Sequence, residues 1–286
     1  MTRPRNIVVT GALGHIGSAF IRGLKPDEFG NVVLVDDMSA QRYSSLFDLP
    51  AGVRFSFVEA DVDKADLAAL FAGADVVVHL AAITDAAGSF TRAEDVERVN
   101  FGVTRKVAEA CRAAGAKLIF PSTTSVYGVQ TGLVDETCPA EQLKPQSPYA
   151  DAKLKSERHL ADADGPDFVI IRMGTIFGVS PGMRFHTAVN KFVWQACLGR
   201  PLTVWRTALD QKRPYLAVGD AVRALRFIIA RDLFDSGIYN IVTVNATVRE
   251  IVEHIRTVVP AVRIELVDAA IMNQLSYEVS SDKSRR

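Results

Sequence analysis

Through the first half of the chain, short β-branched apolar runs alternate with stretches whose apolar positions recur at helical spacing. The runs predict strands over Ile7–Thr10, Val32–Val35, Arg54–Glu59, Val76–Leu80, Lys117–Pro121 and Phe168–Arg172. The intervening stretches predict helices near Ile16–Leu24, Lys64–Phe71, Val96–Ala114 and Tyr149–Ala161. Runs that are apolar at consecutive positions suit strands covered on both faces. The expected fold class is therefore α/β, a doubly wound parallel sheet. After Gly178 the alternation weakens at the turn Ser180-Pro181-Gly182, and helices over Thr187–Leu198, Val218–Ala230 and Val248–Val258 are separated by shorter strands. The run Gly237–Val242 is placed to return to the large sheet as an added strand, and the polar tail Ser280–Arg286 is expected to fray.

The first run ends in Thr10-Gly11-Ala12-Leu13-Gly14-His15-Ile16-Gly17, which opens the first helix. Glycines at that spacing allow a tight turn, a close approach of a pyrophosphate to the backbone and close packing of helix on strand. A helix N-terminus facing the phosphates adds free N–H groups and a positive dipole end. Asp36 ends the second run, about 20 residues after the glycines, where a carboxylate can accept hydrogen bonds from an adenine ribose. It would repel a 2′-phosphate, and no arginine follows before Arg42, so NAD is expected rather than NADP. Residues 1–172 then read as a Rossmann dinucleotide-binding domain with a return near 215–242, and 173–286 as a smaller, discontinuous substrate region.

Composition narrows the class without adding chemistry. Lys+Arg and Asp+Glu number 33 each, which removes the long-range attraction of a nucleic-acid or anionic-membrane binder. No apolar run reaches the roughly 18 residues of a membrane span, and the N-terminus lacks a secretory h-region. Three scattered cysteines and five scattered histidines have no metal-ligand spacing, so no metal site is expected. A cytoplasmic location fits this usage.

Tyr149-Ala150-Asp151-Ala152-Lys153 places a phenol and an ammonium on one face of the helix that begins after Pro148. A cation held near a tyrosine favours the phenolate and brings its pKa toward a value useful for proton transfer. Alone, this pair is also common on helix surfaces. Its weight comes from Ser122-Thr123-Thr124-Ser125-Val126-Tyr127-Gly128 at the carboxyl end of a strand, where open α/β sheets place their ligands.

These segments resemble the extended short-chain dehydrogenase/reductase family, the NAD-dependent epimerases and dehydratases of nucleotide sugars. The resemblance runs from Asn6 to about Val259 and also rests on Asp36-Asp37, Asp61-Val62, His79-Leu80-Ala81-Ala82, Asn100, Arg172 and Arg213-Pro214-Tyr215 with Asp220. It implies that Gly11, Gly14, His15, Ile16, Gly17, Asp36, Asp37, Asp61 and Val62 contact the cofactor, that Leu80, Ala81 and Ala82 line its path, and that Asn100 supports the nearby helix. Thr123 matches the catalytic Ser/Thr, Tyr149 the acid/base, Lys153 the residue holding the nicotinamide ribose, and Arg213 the arginine on the nucleotide diphosphate. Thr175 stands where an asparagine usually meets the substrate, and Ala217 where a histidine is frequent. A homodimer formed through the Val96–Ala114 and Tyr149–Ala161 helices is implied by analogy.

Family dehydratases carry acids just after the Ser/Thr, where this chain has Thr124 and Ser125, and reductases and 3,5-epimerases carry a cysteine in that segment, which this chain lacks. A 4-epimerase of a nucleotide-diphosphate sugar, by default a UDP-sugar, acting through a transient 4-keto intermediate, is the leading expectation. A nucleotide-sugar dehydrogenase, keto-reductase or dehydratase stands second, and a non-catalytic NAD-binding sensor is the alternative from another class.

Overall fold

The computed structural model describes residues 5–162, 164–268 and 276–286. Seven strands, β1 (Arg5–Thr10), β2 (Phe29–Asp36), β3 (Arg54–Glu59), β4 (Val76–His79), β5 (Lys117–Thr123), β6 (Phe168–Met173) and β7 (Ile238–Ile241), form one sheet. Their spatial order is β7-β6-β5-β4-β1-β2-β3, and every pairing is parallel. The direction of winding reverses between β1 and β4, which opens a crevice at the carboxyl ends of those strands.

Both faces of the sheet are buried. Ile7, Val9, Leu34 and Ile119 pack on one face with Phe20 and Ile21 of the helix His15–Arg22 and with Leu225 and Ile228 of the helix Val218–Arg231. Val8, Val77, Leu118 and Phe120 pack on the other with Leu67, Val107, Cys111 and Leu160. Consecutive side chains alternate between faces, so two covered faces require the unbroken apolar runs seen in the sequence.

The smaller region has its own core of Phe192, Leu202, Val204, Tyr215, Val252 and Ile255. It is built from a three-stranded sheet of Thr175–Phe177, Lys212–Ala217 and Val244–Thr247, a parallel pair Leu202–Trp205 and Ile264–Val267, and the helices Ala188–Cys197 and Val248–Val258. The last helix starts with a capping box between Thr247 and Glu250.

Three differences from the sequence expectations have physical causes. β5 and β6 outlast their apolar runs because Ser122 and Thr123 go on pairing with Arg172 and Met173. The expected single helix Val96–Ala114 is broken by a π turn over Glu97–Gly102. There the Asn100 carbonyl accepts from Thr104 Oγ1 at 2.6 Å and from Ser156 Oγ at 3.3 Å on the neighbouring helix. The tail does not fray: Asp282–Arg285 forms a short helix against β7. β7 is an edge strand with unpaired carbonyls, and the polar tail satisfies them, Lys283 Nζ donating to Ile238 O at 2.7 Å and Ser284 Oγ to Asn240 O at 2.8 Å.

A buried ion pair joins the sheet to the helix Pro148–Asp162. Arg172 on β6 donates from Nε to Glu157 Oε1 at 3.0 Å and from Nη2 to Oε2 at 2.6 Å, and both side chains are 3% exposed. Ser122 Oγ on β5 donates to the same carboxylate, and the Arg172 guanidinium lies 4.9 Å from the Tyr127 ring centre. Glu157→Gln leaves the guanidinium buried without its counter-charge, and such losses run to about 3–5 kcal/mol. A loss of at least about 2 kcal/mol in denaturant unfolding is expected. A midpoint within experimental error of the native protein's would show that the pair does not hold the helix to the sheet.

Candidate active site

The crevice at the switch point opens into a cavity of about 1000 Å³, at the upper end of single-ligand sites and large enough for a dinucleotide beside a second ligand. Its floor is the glycine turn. Gly11 has φ +65°, and a Cβ there would lie 2.6 Å from Ala81 N; a Cβ on Gly17 would lie 2.5 Å from Ala12 O. Both positions require glycine, whereas a Cβ on Gly14 would meet only Gly11 O at 3.2 Å. The helix His15–Arg22 starts without a side-chain cap, so its first N–H groups remain available to an anion.

Gly11, Gly14, His15, Ile16, Gly17, Asp36, Asp37, Asp61, Val62, Leu80, Ala81 and Ala82 all line the cavity. Asp36 is already engaged in the fold: its carboxylate accepts from Leu13 N at 3.0 Å and from Met38 N at 3.1 Å, tying β2 to the glycine turn. Burial raises its pKa, and these two bonds oppose the rise. The His15 ring turns away from the turn and donates from Nε2 to Gly178 O at 2.9 Å. Only its backbone is then free for a cofactor. Asn100 acts from behind the residues that line the cavity. It is fully buried and does not line the cavity; its side chain brackets Ile83, accepting from Ile83 N and donating to Ile83 O, each at 2.8 Å. It holds the loop after β4, whose residues Leu80–Ile83 line the cavity.

On the opposite wall, β5 delivers Thr123 and the helix Pro148–Asp162 delivers Tyr149 and Lys153. Thr123 Oγ1 accepts from Ser125 N at 3.1 Å, which fixes its rotamer. Lys153 Nζ donates to Pro121 O at 2.8 Å and lies 4.6 Å from the Phe120 ring centre. Burial drives the Lys153 pKa down to about 8, with the Glu157 carboxylate opposing. His79, behind it, is pushed by burial to about 3 and stays neutral, Nδ1 hydrogen-bonded to Thr10 Oγ1 at 2.8 Å.

Tyr149 departs from expectation. Burial pushes its phenol up to about 12; the Arg184 guanidinium and a hydrogen bond from Thr123 oppose the rise, and Lys153 has no part in it. The two residues share a helix face, but the long lysine stem carries its ammonium to the Pro121 carbonyl. Arg184 is the residue that sequence reasoning missed. It follows the Ser180-Pro181-Gly182 turn, lines the cavity, and has a buried Nε with no hydrogen-bond partner among the described residues. No spacing rule singles out an arginine in a connecting loop. Thr175 and Arg213, from adjacent strands of the small sheet, reach the same cavity.

A glycine turn at the end of β1, free helix N–H groups, an acid at the end of β2 and a guanidinium whose buried Nε has no hydrogen-bond partner among the described residues together fit a dinucleotide diphosphate and ribose. Residues 7–242 match the NAD dependent epimerase/dehydratase family. The chain belongs to that family. It is 32% identical over 237 residues to an uncharacterized UDP-glucose epimerase, YtcB, of Bacillus subtilis, covering 79% of this chain and 72% of that one. It is 32% identical over 229 residues to a UDP-glucose 4-epimerase of Mycolicibacterium smegmatis, covering 76% and 71%. A solved UDP-glucuronic acid 4-epimerase of Bacillus cereus, in complex with UDP-glucuronic acid and NAD, superposes with a TM-score of 0.86 at 26% identity over 98% of this chain and 91% of its own. The parallel doubly wound sheet, the family membership and NAD as cofactor thus stand as expected from the sequence. No helix among the described residues is long and apolar enough to cross a membrane.

The depressed Lys153 pKa has a thermodynamic signature. Between pH about 8 and 10.5 the unfolded chain holds the proton that the folded protein has lost, so stability contributed by this site rises with pH across that window. The difference in unfolding free energy between the native protein and Lys153→Met is expected to shift in the native protein's favour by roughly 3 kcal/mol from pH 8 to 10.5. A difference that stays flat across the window would show that Lys153 titrates as an exposed lysine does.

Proposed function

We propose that this protein is an NAD-dependent 4-epimerase of a nucleotide-diphosphate sugar, with UDP-sugars as its substrate class. The observation that carries the reading is the convergence of Thr123, Tyr149 and Lys153 on one wall of a two-ligand cavity whose floor is the glycine turn. Gly11, Gly14, Gly17, Asp36 and Lys153 would hold NAD, which when bound accepts a hydride from the sugar C4 and returns it to the other face of the 4-keto sugar. Tyr149 Oη takes the proton of the C4 hydroxyl and gives it back when the ring has turned over. Thr123 orients the same oxygen by hydrogen bonding. Lys153 binds the nicotinamide ribose. Arg213 holds the nucleotide diphosphate through a planar fork, while Thr175 faces the sugar.

Thr124 and Ser125 are not acids, and this absence of a second proton donor beside Thr123 favours epimerisation over loss of water. Thr124 is further occupied, its hydroxyl sitting 3.3 Å from Met173 O and 3.2 Å from Tyr277 Oη. The solved Bacillus cereus epimerase supports a uridine diphosphate sugar as the class to test first. In this reading residues 1–172 and the return through 215–242 carry the cofactor, 173–286 mainly carry the substrate, and the enzyme works in the cytoplasm as a homodimer through its Val96–Ala114 and Tyr149–Ala161 faces.

Incubation with UDP-glucose, UDP-N-acetylglucosamine and UDP-glucuronate, followed by proton NMR, is expected to give the C4 epimer of at least one with no net change in NADH. Tyr149→Phe is expected to lower turnover by about 10²–10⁴-fold while the protein keeps its NAD. Net accumulation of NADH with any of the three sugars would replace the epimerase by a dehydrogenase.

A further inference from the structure

The segment from Gly178 to Arg184 runs across the start of the glycine-loop helix as a strap. The His15 ring donates to Gly178 O at 2.9 Å, Ser180 Oγ donates to His15 O at 2.9 Å, and Gly182 N donates to Ser18 Oγ at 2.9 Å. Gly182 lies so close to the turn that a Cβ there would collide with the Leu13 and Gly14 carbonyls. Asn190 closes both ends, its Oδ1 accepting from Gly178 N and its Nδ2 donating to Arg184 O, each at 2.9 Å. The strap is therefore a built element, and it carries Arg184 into the cavity beside the first turn of the helix.

Four basic groups meet there. Burial and then the Arg42 charge raise the cost of charging Arg184, and both guanidiniums act on His15 and His186, whose pKa values are lowered first by burial. The acids that face the cluster are Asp36 and Asp85. Asp36 is spent on Leu13 N and Met38 N, and Asp85 Oδ1 on Ala87 N and Gly88 N. Neither Arg42 nor Arg184 forms a salt bridge among the described residues, and Arg184 Nε is buried with no hydrogen-bond partner. Two guanidiniums held near each other with no carboxylate paired directly to either gain from an anion that enters between them.

We infer that Arg184, assisted by Arg42, binds the diphosphate of the dinucleotide from the strap side, opposite the N–H groups of the glycine turn. The anion belongs to the cofactor and not to the sugar nucleotide because the strap is bonded to His15 and Ser18, in the first turn of the helix on whose N-terminus a dinucleotide diphosphate docks. A clamp of this kind suits an enzyme that leaves its cofactor unchanged after each turnover, since NAD then never has to depart. The inference rests on NAD binding, and it holds or fails independently of which reaction the site performs.

Native protein, Arg184→Gln, Arg184→Lys and Arg42→Gln, each stripped of nucleotide, would be titrated by calorimetry with NAD and ADP, and with adenosine by competition. Arg184→Gln is expected to weaken NAD and ADP by about 10–100-fold with adenosine unchanged, Arg184→Lys to recover part of the loss, and Arg42→Gln to show a smaller loss of the same pattern. Equal weakening of adenosine would mark Arg184 as merely structural and overturn the inference. So would unchanged NAD and ADP affinities, whether or not the KM for a nucleotide sugar rises. None of these readings requires turnover, so an inactive epimerase assay leaves them intact.

Discussion

The buried pair Arg172–Glu157 is the interaction on which the geometry of the cavity depends. The side chains proposed to react come from two separate elements: Thr123 from the end of β5, and Tyr149 and Lys153 from a helix that begins 25 residues later. One carboxylate on that helix receives Arg172 of β6 and Ser122 of β5 together. A slide of the helix by a fraction of a turn would leave a guanidinium and a carboxylate desolvated and apart, which apolar packing alone would not penalise as steeply. Ser122 is the residue before Thr123, and Glu157 lies one turn beyond Lys153, so the fixed point is adjacent to the groups whose placement matters.

The same burial that makes the pair strong sets the electrostatics of the reactive groups. Removal from water disfavours charge on either sign of group, and it acts on Tyr149 and Lys153 in opposite directions, the phenol rising to about 12 and the ammonium falling to about 8. A simple ion pair between them would have drawn the two values the other way. What opposes the rise at Tyr149 comes from the strap, through Arg184, and from the strand, through Thr123. The proposed proton chemistry and the proposed clamp on the cofactor would therefore meet in one side chain: the Arg184 guanidinium also bears on the phenol.

How much of this was legible in the sequence follows from how local each signal is. Strands covered on both faces are apolar at consecutive positions, so Val76–Val78 and Phe168–Ile171 declare themselves. Gly17 is fixed by backbone collisions within a short turn, Gly11 by its left-handed φ of +65°, and Tyr149/Lys153 by the helical repeat. Placement of Lys153 Nζ on Pro121 O, the bracket of Asn100 around Ile83 and the docking of Lys283 on β7 all join residues more than 15 positions apart. No periodicity encodes them. The π turn at Glu97–Gly102 inserts a residue whose only trace in sequence is a helix that looks regular. Arg184 is invisible for a third reason: its meaning comes from a strap held by five separate bonds, each ordinary alone.

The small sheet explains how a sugar could be gripped and still turn over. Thr175 pairs with Tyr215 in parallel register, so Arg213 lies two residues earlier on the adjacent strand. Two residues of strand are roughly 7 Å, and the lateral step between strands is about 5 Å. The charged fork and the hydroxyl are thus separated by about the span between a diphosphate and the far side of a hexose. Arg213 is a strong, planar donor set, whereas Thr175 is a single hydroxyl, so in the proposed pose the strength of binding would fall along that line from phosphate to ring. In the proposed reaction a keto sugar must expose first one face and then the other to the same cofactor. A site that anchored the ring as firmly as the diphosphate would forbid that rotation, so a threonine rather than a larger multidentate amide at position 175 is consistent with the chemistry.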